Sequence, residues 1–318
     1  MRGVTLRQLT AFSVVARHRS FARAALELHV TRSAVSMQIK ELEQQVGLAL
    51  FGRARKTAVL TPGGELFLRD VNRALHALND AQEKINQLRG RETGLVSVGM
   101  VCNAEFFLPR VLATFRAAHP RVELRVSVSN RAKLLRQLAD GDITLAVMGE
   151  PPEDTDVEAA TLAEQPLGIV AAPEHKLART RDISAATVAR QAFIVRERGS
   201  GTRAATDRFF RESGHIPRYA MELAGNESVK QVVMGNMGLA FLSLQTAALE
   251  LQTGKLVALD VIGLPIMRRW HVVHLRDEAL SSAAASLRNA IVAMSPEIIR
   301  ARLETAQEDD AKLAPLAE

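Results

Sequence analysis

Apolar residues in the first part of the chain recur at helical spacing. Leu6, Leu9, Phe12 and Ala16 predict a first helix. Ser20 can cap a second, with Phe21, Ala24, Ala25 and Leu28 along one side. Thr31 can cap a third, in which Val35, Ile39, Leu42 and Val46 are spaced 4, 3 and 4 apart and form one buried stripe. Ser33, Ser36, Met37, Lys40 and Gln44 then face outward, and Arg32 occupies the exposed first turn. The second and third helices are joined by only two or three residues, which is helix-turn-helix spacing. Three short amphipathic helices describe any small helical domain, so the next segment decides. Arg53, Arg55 and Lys56 stand at a turn between Leu50–Phe51 and Val59–Leu60, which reads as a basic wing touching phosphate beside the groove. The expected DNA contacts are therefore Thr31, Arg32, Ser33, Ser36, Met37 and Lys40 on the third helix, with Arg53, Arg55 and Lys56 on the wing.

From Thr61 to about Arg89 the pattern changes. Leu68, Val71, Leu75, Leu78 and Ile85 follow steps of three and four, with Gln82 as the polar seam position. The seam fits either a helix packed on its own domain or a coiled-coil dimer; the paired habit of such DNA-binding helices favours the dimer. The charged, glycine-flanked segment at 89–94 marks a hinge. From Leu95 strands and helices alternate, beginning with a strand over 95–101, a helix over 104–119, a strand over 122–129, a helix over 131–142 and a strand over 143–149. Such β-α-β-α-β order predicts a parallel sheet covered by helices. A second α/β set follows, and together they imply two lobes with a ligand cleft between the strand ends. The first lobe is expected over about 95–165 plus 266–300, the second over about 166–265. A late strand at 266–275 and a helix around 279–296 should return to the first lobe, leaving a loose tail over 304–318.

Charge sharpens this division. Residues 1–90 carry 14 Lys and Arg against 7 Asp and Glu, a net of +7, whereas the other 228 residues carry 27 against 28, a net of −1. The basic excess is entirely N-terminal, as in a polyanion-binding module joined to a neutral domain. A single cysteine, Cys102, suits a reducing compartment. Arg7, Arg17 and Arg19 interrupt any secretory apolar region, and no stretch approaches membrane-spanning length, so a soluble cytoplasmic protein is expected.

The second lobe offers a candidate anion site. In the run from Arg196 to Arg203, Gly199 and Gly201 surround Ser200, with Arg198 before them and Thr202 and Arg203 after, at a predicted helix start. Free N–H groups at a helix N-terminus attract anions, and flanking arginines add bidentate charge. A glycine loop with surface arginines is the plainer reading; the position after a buried strand, facing the cleft, favours the anion site. The loop is not a Walker motif, because the lysine and its spacing are missing. Cys102 and Asn103 after the first strand, and Asn226 and Glu227 before a later helix, should converge on the same place. Cys102 is a redox sensor only if reactive; a lone buried thiol is more often inert. No catalytic or metal residues are assigned. The eight histidines are scattered, His271 and His274 fall on a predicted strand, and neither a nucleophile elbow nor a dinucleotide fingerprint occurs. A transport binding protein would share the two lobes but lack the basic helical head.

Residues 5–63 resemble the winged helix-turn-helix of the LysR-type transcriptional regulators. Where that family usually has Gln-Pro, this chain has Arg32-Ser33, and Gly52 replaces a commonly charged wing residue. Arginine can grip guanine bidentately, so base preference should differ there. The later part is similar to the family's two-lobed, periplasmic-binding-protein-like effector domain. Within the family, the runs 130–152, 196–203, 225–256 and 268–274 most resemble regulators of Calvin-cycle carbon-fixation operons. Those relatives tend to have Ser-Thr where this chain has Cys102-Asn103, and a thiol bonds hydrogen more weakly than a hydroxyl.

The resemblance implies an α+β multidomain protein: a winged helix-turn-helix over 1–60, a linker helix over 61–90 and an effector domain over 91–318. It implies promoter DNA as partner, a homodimer through the linker helix that pairs further into a tetramer, and RNA polymerase as a further contact. No cofactor or enzyme activity is implied. The effector would be a small anionic metabolite of the phosphorylated-sugar, phosphoenolpyruvate or NADPH class. A regulator of aromatic-acid, organic-acid or amino-acid metabolism is the alternative.

Overall fold

The computed structural model describes residues 3–52, 58–88 and 94–312, which divide into two compact units near Gly94. The first unit is helical: α1 (Leu6–His18), α2 (Phe21–Glu27), α3 (Arg32–Val46) and α4 (Pro62–Leu88). Thr5 and Gln8 form a reciprocal capping box at α1, Ser20 Oγ accepts from Arg23 N, and Thr31 Oγ1 accepts from Ala34 N at 3.2 Å. Gly47 ends α3 with φ 75°, a left-handed conformation that favours glycine. Behind it, Glu43 Oε1 accepts from Leu50 N at 2.8 Å and Phe51 N at 3.1 Å, tying the chain after α3 back to α3 itself. Phe51 and Leu60 then form an antiparallel bridge. Arg53, Arg55 and Lys56, the expected wing cations, lie outside the described residues.

Phe12, Val15, Val35, Ile39, Leu42, Leu50 and Val71 share one core, with Leu68 and Leu75 packed against it. The expected linker seam is therefore split. Its first half is core of its own unit, whereas Leu78 and Ile85 are 52% and 46% exposed. Most of the expected 89–94 hinge lies outside the described residues.

In the second unit β1 (Gly94–Val101) leads through a 3-10 turn (Cys102–Ala104) to α5 (Leu108–Ala118). The helix expected to start at Ala104 starts four residues later, with Pro109 in its first turn, where a missing N–H costs nothing. Then come β2 (Val122–Ser129), α6 (Arg131–Ala139), β3 (Leu145–Met148) and a long β4 (Val157–Ala171). The second lobe holds α7 (Ala185–Ala189), β5 (Ala192–Arg196), α8 (Gly201–Glu212), β6 (Arg218–Leu223), α9 (Asn226–Met234), β7 (Ala240–Ser243), α10 (Ala248–Gln252) and β8 (Val257–Ala258). Strand β9 (Ile266–Leu275) and helix α11 (Ser282–Lys312) close the chain. The tail expected to be loose from residue 304 is helical as far as Lys312.

The expected parallel sheet is instead mixed, in the order β2-β1-β3-β9-β4-β7, with β8 on β4. The β1–β3 pair is parallel, and β5 and β6 form a separate two-stranded parallel sheet, but β9 runs antiparallel to both β3 and β4. Pairing of β4 with β9 extends from Val157↔Leu275 to Leu167↔Ile266, shifting register between Thr161 and Glu164. These two strands carry the chain through both lobes: Leu162, Trp270 and Val272 belong to the first-lobe core, Leu167 and Ile169 to the second. Trp270 meets Phe107 edge-on at 5.3 Å and donates from Nε1 to Gln245 Oε1 at 2.9 Å, so its one polar atom is satisfied. Among the described residues no helix is long and apolar enough to cross a membrane.

Candidate functional site

In the first unit the outer face of α3 is polar and open. Thr31, Arg32, Ser33, Ser36, Met37 and Lys40 are all exposed, while Val35, Ile39 and Leu42 are buried on the opposite side. Thr31 Oγ1 and Ser33 Oγ lie 3.0 Å apart at the helix start. These positions meet the basic requirement of a base-reading helix, an unobstructed N-terminal turn with hydrogen-bonding and cationic groups.

The second unit holds a small cavity of about 30 Å³ between the lobes. The first lobe lines it with Cys102, Asn103, Ser129, Asn130, Arg131 and Gly149, and the second with Arg196, Ser200, Gly201 and Thr202. Gln165 and Arg268 enter from the shared strands β4 and β9. Three guanidinium groups thus meet at the N-terminus of α8, and no carboxylate lines the cavity among the described residues. Ser200 caps that helix, its Oγ accepting from Thr202 N at 3.2 Å.

The three arginines are held differently. Arg196 is fully engaged: Nε and Nη2 donate to Glu197 at 2.8 and 3.1 Å, and Nη1 donates to Asn226 Oδ1 and to Asn103 Oδ1. Arg131 Nη1 donates to the Glu150 carbonyl at 3.1 Å, and Arg268 Nη1 to the Gly201 carbonyl at 3.1 Å. Neutral carbonyl partners leave these two cations undercompensated; the nearest carboxylate contact of Arg268 is Glu150 at 3.8 Å. Burial pulls Arg268 below the ordinary guanidinium range, the charge of Arg131 adds to this, and burial lowers Arg131 too. Both stay cationic at any physiological pH. Such a pair is electrostatically poised for an anion.

Asn103 joins the lobes at the back of the cavity. Its Nδ2 donates to Thr202 Oγ1 at 3.3 Å, and its Oδ1 accepts from Asn226 Nδ2. Ala132 N donates to the Gly199 carbonyl at 3.1 Å, a second crossing between lobes. Gly199 has φ 87°, and a Cβ there would lie 3.2 Å from Ala132, so this approach favours glycine. Cys102 is half-buried; burial raises its thiol above the ordinary value, with Arg196 opposing, so it is mainly a neutral thiol.

Of the residues expected from sequence, Cys102, Asn103, Ser200, Gly201 and Thr202 line the cavity, and Asn226 supports it through Arg196 and Asn103. Three others do not line it. Arg203 turns the other way: its guanidinium bonds Glu222 at 2.8 Å and Asp207 at 3.0 Å and lies 4.6 Å over Tyr219. Arg198 is exposed, and Glu227 pairs with Lys230 and Gln231 at the surface. Arg131, Arg196 and Arg268 were missed. A weak signal existed for each: an arginine ends a buried strand at 196, opens a helix at 131, and stands beside Arg269 at the start of the late strand at 268.

Residues 6–65 match the family described as bacterial regulatory helix-turn-helix protein, lysR family, and residues 89–295 match the LysR substrate binding domain. The chain is 42% identical over 299 residues to the HTH-type transcriptional regulator CfxR of Cupriavidus necator, covering 94% of each chain. It is also 42% identical to a RuBisCO operon transcriptional regulator of Allochromatium vinosum, covering 91% of this chain and 96% of that one. The regulatory domain of Synechocystis CcmR, solved in complex with 2-PG, superposes with a TM-score of 0.61 at 31% identity, covering 64% of this chain and 98% of that chain. An open helix-turn-helix face in one unit and an arginine-rich interlobe cavity in the other are thus found in a chain that belongs to the LysR family of transcriptional regulators.

Proposed function

We propose that the protein controls the transcription of carbon-fixation genes, binding promoter DNA through α3 and the basic segment after it, and that a small anionic metabolite sets its state. The observation that carries the ligand half is the meeting of Arg131, Arg268 and the α8 N-terminus in a cavity without carboxylates. The carbon-fixation half is supported by the similarity to a RuBisCO operon regulator over nearly the whole of both chains. Arg131 and Arg268 hold the anion, exchanging bonds to neutral carbonyls for charge-assisted ones. Asn103 and Thr202 orient it, and Arg196 is the scaffold behind them. Phosphorylated metabolites suit this cradle, because a dianionic phosphate presents several acceptors to two guanidinium groups at once. The working form is a homodimer joined through α4, pairing into a tetramer on DNA, with RNA polymerase as its further partner.

Calorimetric titration of the full-length protein with 2-phosphoglycolate, the ligand carried by the Synechocystis relative, tests this. Arg268→Ala should weaken binding by roughly 10- to 100-fold, since a hydrogen bond to a charged group contributes ~1.5–3 kcal/mol. Arg203→Ala should bind as the parent does. Equal affinity of parent and Arg268→Ala overturns the cavity assignment.

A further inference from the structure

We propose that Met37 reads the methyl group of a thymine in the major groove. The inference rests on the reading of α3 as the DNA-contacting helix and adds the chemistry of one contact. Met37 is 59% exposed, and among the described residues of α3 it is the one large apolar side chain so placed. Its neighbours on that face are Ser33, Ser36 and Lys40, all exposed and polar. The core stripe of α3 is already complete in Val35, Ile39 and Leu42, so Met37 adds nothing to the packing of its own unit. A thioether in a polar, DNA-facing surface needs an apolar counterpart, and the thymine C5 methyl is the one apolar group that base edges present in the major groove. Methionine is unbranched and polarizable, which lets its tip settle against a methyl without fixed geometry.

Position along the helix narrows the target. Met37 lies five residues beyond Arg32, about 7.5 Å along the axis, or roughly two base pairs. The serines beside it are compatible with any base and Lys40 favours guanine, so the thioether is the group that selects thymine in this part of the face.

The operator sequence emerges from the test itself. The full-length protein selects duplexes from a random-sequence pool, and each thymine of the selected half-site is replaced in turn by deoxyuracil, which removes only the methyl. The parent should lose about fourfold in affinity at one thymine, the effect of one methyl-sized apolar contact. Met37→Ala should bind the thymine duplex about fourfold more weakly than the parent and respond to no uracil at that position. Met37→Leu should keep most of the discrimination, and melting temperatures of all three should agree, because the side chain is outside the core. A parent indifferent to every uracil overturns the proposal. So does a Met37→Ala variant that keeps the parental thymine-to-uracil ratio, which would transfer the contact to the Thr31 methyl. A pool that yields no motif would instead remove the DNA reading of α3, and this contact with it.

Discussion

His271 sits on β9 with its ring buried, and its Nδ1 has no hydrogen-bond partner among the described residues. Burial holds its pKa below the ordinary 6.5, outweighing Glu150, which favours the proton. An unfolded chain therefore takes up the proton first as the pH falls. Stability from this group is complete above about pH 6.5 and declines as the pH drops toward the native value. Thermal melts at pH 7.5 and 5.5 should show the parent losing more than His271→Gln, and equal losses would exclude His271 as the cause. Arg203 and Arg268 show what single residues conceal. Arg203 stands beside a glycine loop at a helix start, the setting expected of an anion ligand, yet Glu222 and Asp207 claim it. Burial alone would lower its pKa, and those carboxylates raise it instead. Glu222 lies on β6, and nothing in the local sequence announces that the strand lies beside the third residue of α8. Arg268 reaches the cavity only because the register of β9 aims it at the Gly201 carbonyl, 67 residues away in sequence. Register of that kind is not written in a periodicity.

Individual elements were legible where their own pattern decided them. The caps at Ser20 and Thr31 and the stripe of α3 follow from spacing, and each is present. The mixed sheet was not legible, because β-α-β order predicts parallel pairing and cannot reveal that β9 returns antiparallel between β3 and β4. Nor does periodicity say what a seam packs against, and α4 illustrates this. Val71 is buried in the helical core, whereas Leu78 lies past it and is exposed. One helix is thus core of its own unit over its first half and exposed at Leu78 and Ile85 beyond it. Val71→Ala should cost the first unit roughly 2 kcal/mol, from two lost methyls and a residual cavity, read as a lower melting temperature. Leu78→Glu with Ile85→Glu should leave that melting temperature in place and reduce the oligomer, read by sedimentation at fixed concentration. A dimer unchanged in the double variant would remove this stretch of α4 from the interface.

For the molecule as a whole, charge and cavity divide the labour. The net of +7 over residues 1–90 belongs to the part that would meet a polyanion, whereas in the near-neutral remainder Arg131, Arg196 and Arg268 line the interlobe cavity proposed for a small anion. That remainder has little spare room. A cavity of about 30 Å³ holds a water-sized group, not a phosphorylated metabolite of several heavy atoms. Arg268 to Gly201, Ala132 to Gly199 and Asn103 to Thr202 are among the bonds that keep the lobes this close. An anion can take its place only by replacing some of them, so binding should part the lobes at this edge, driven by its higher affinity for the wider arrangement. The Ala132 amide gives a direct reading, because its hydrogen bond crosses from α6 to the glycine loop. Hydrogen exchange of the full-length protein should quicken in the peptide containing Ala132 when 2-phosphoglycolate is added, while the amides of β1 and β3 stay protected by their ladder. In Arg268→Ala the same peptide should already exchange faster without ligand, since one of the closing bonds is gone, and should respond little to its addition. Slower exchange at Ala132 with ligand would mean that the lobes close on the anion, and that the bonds named here are kept rather than exchanged.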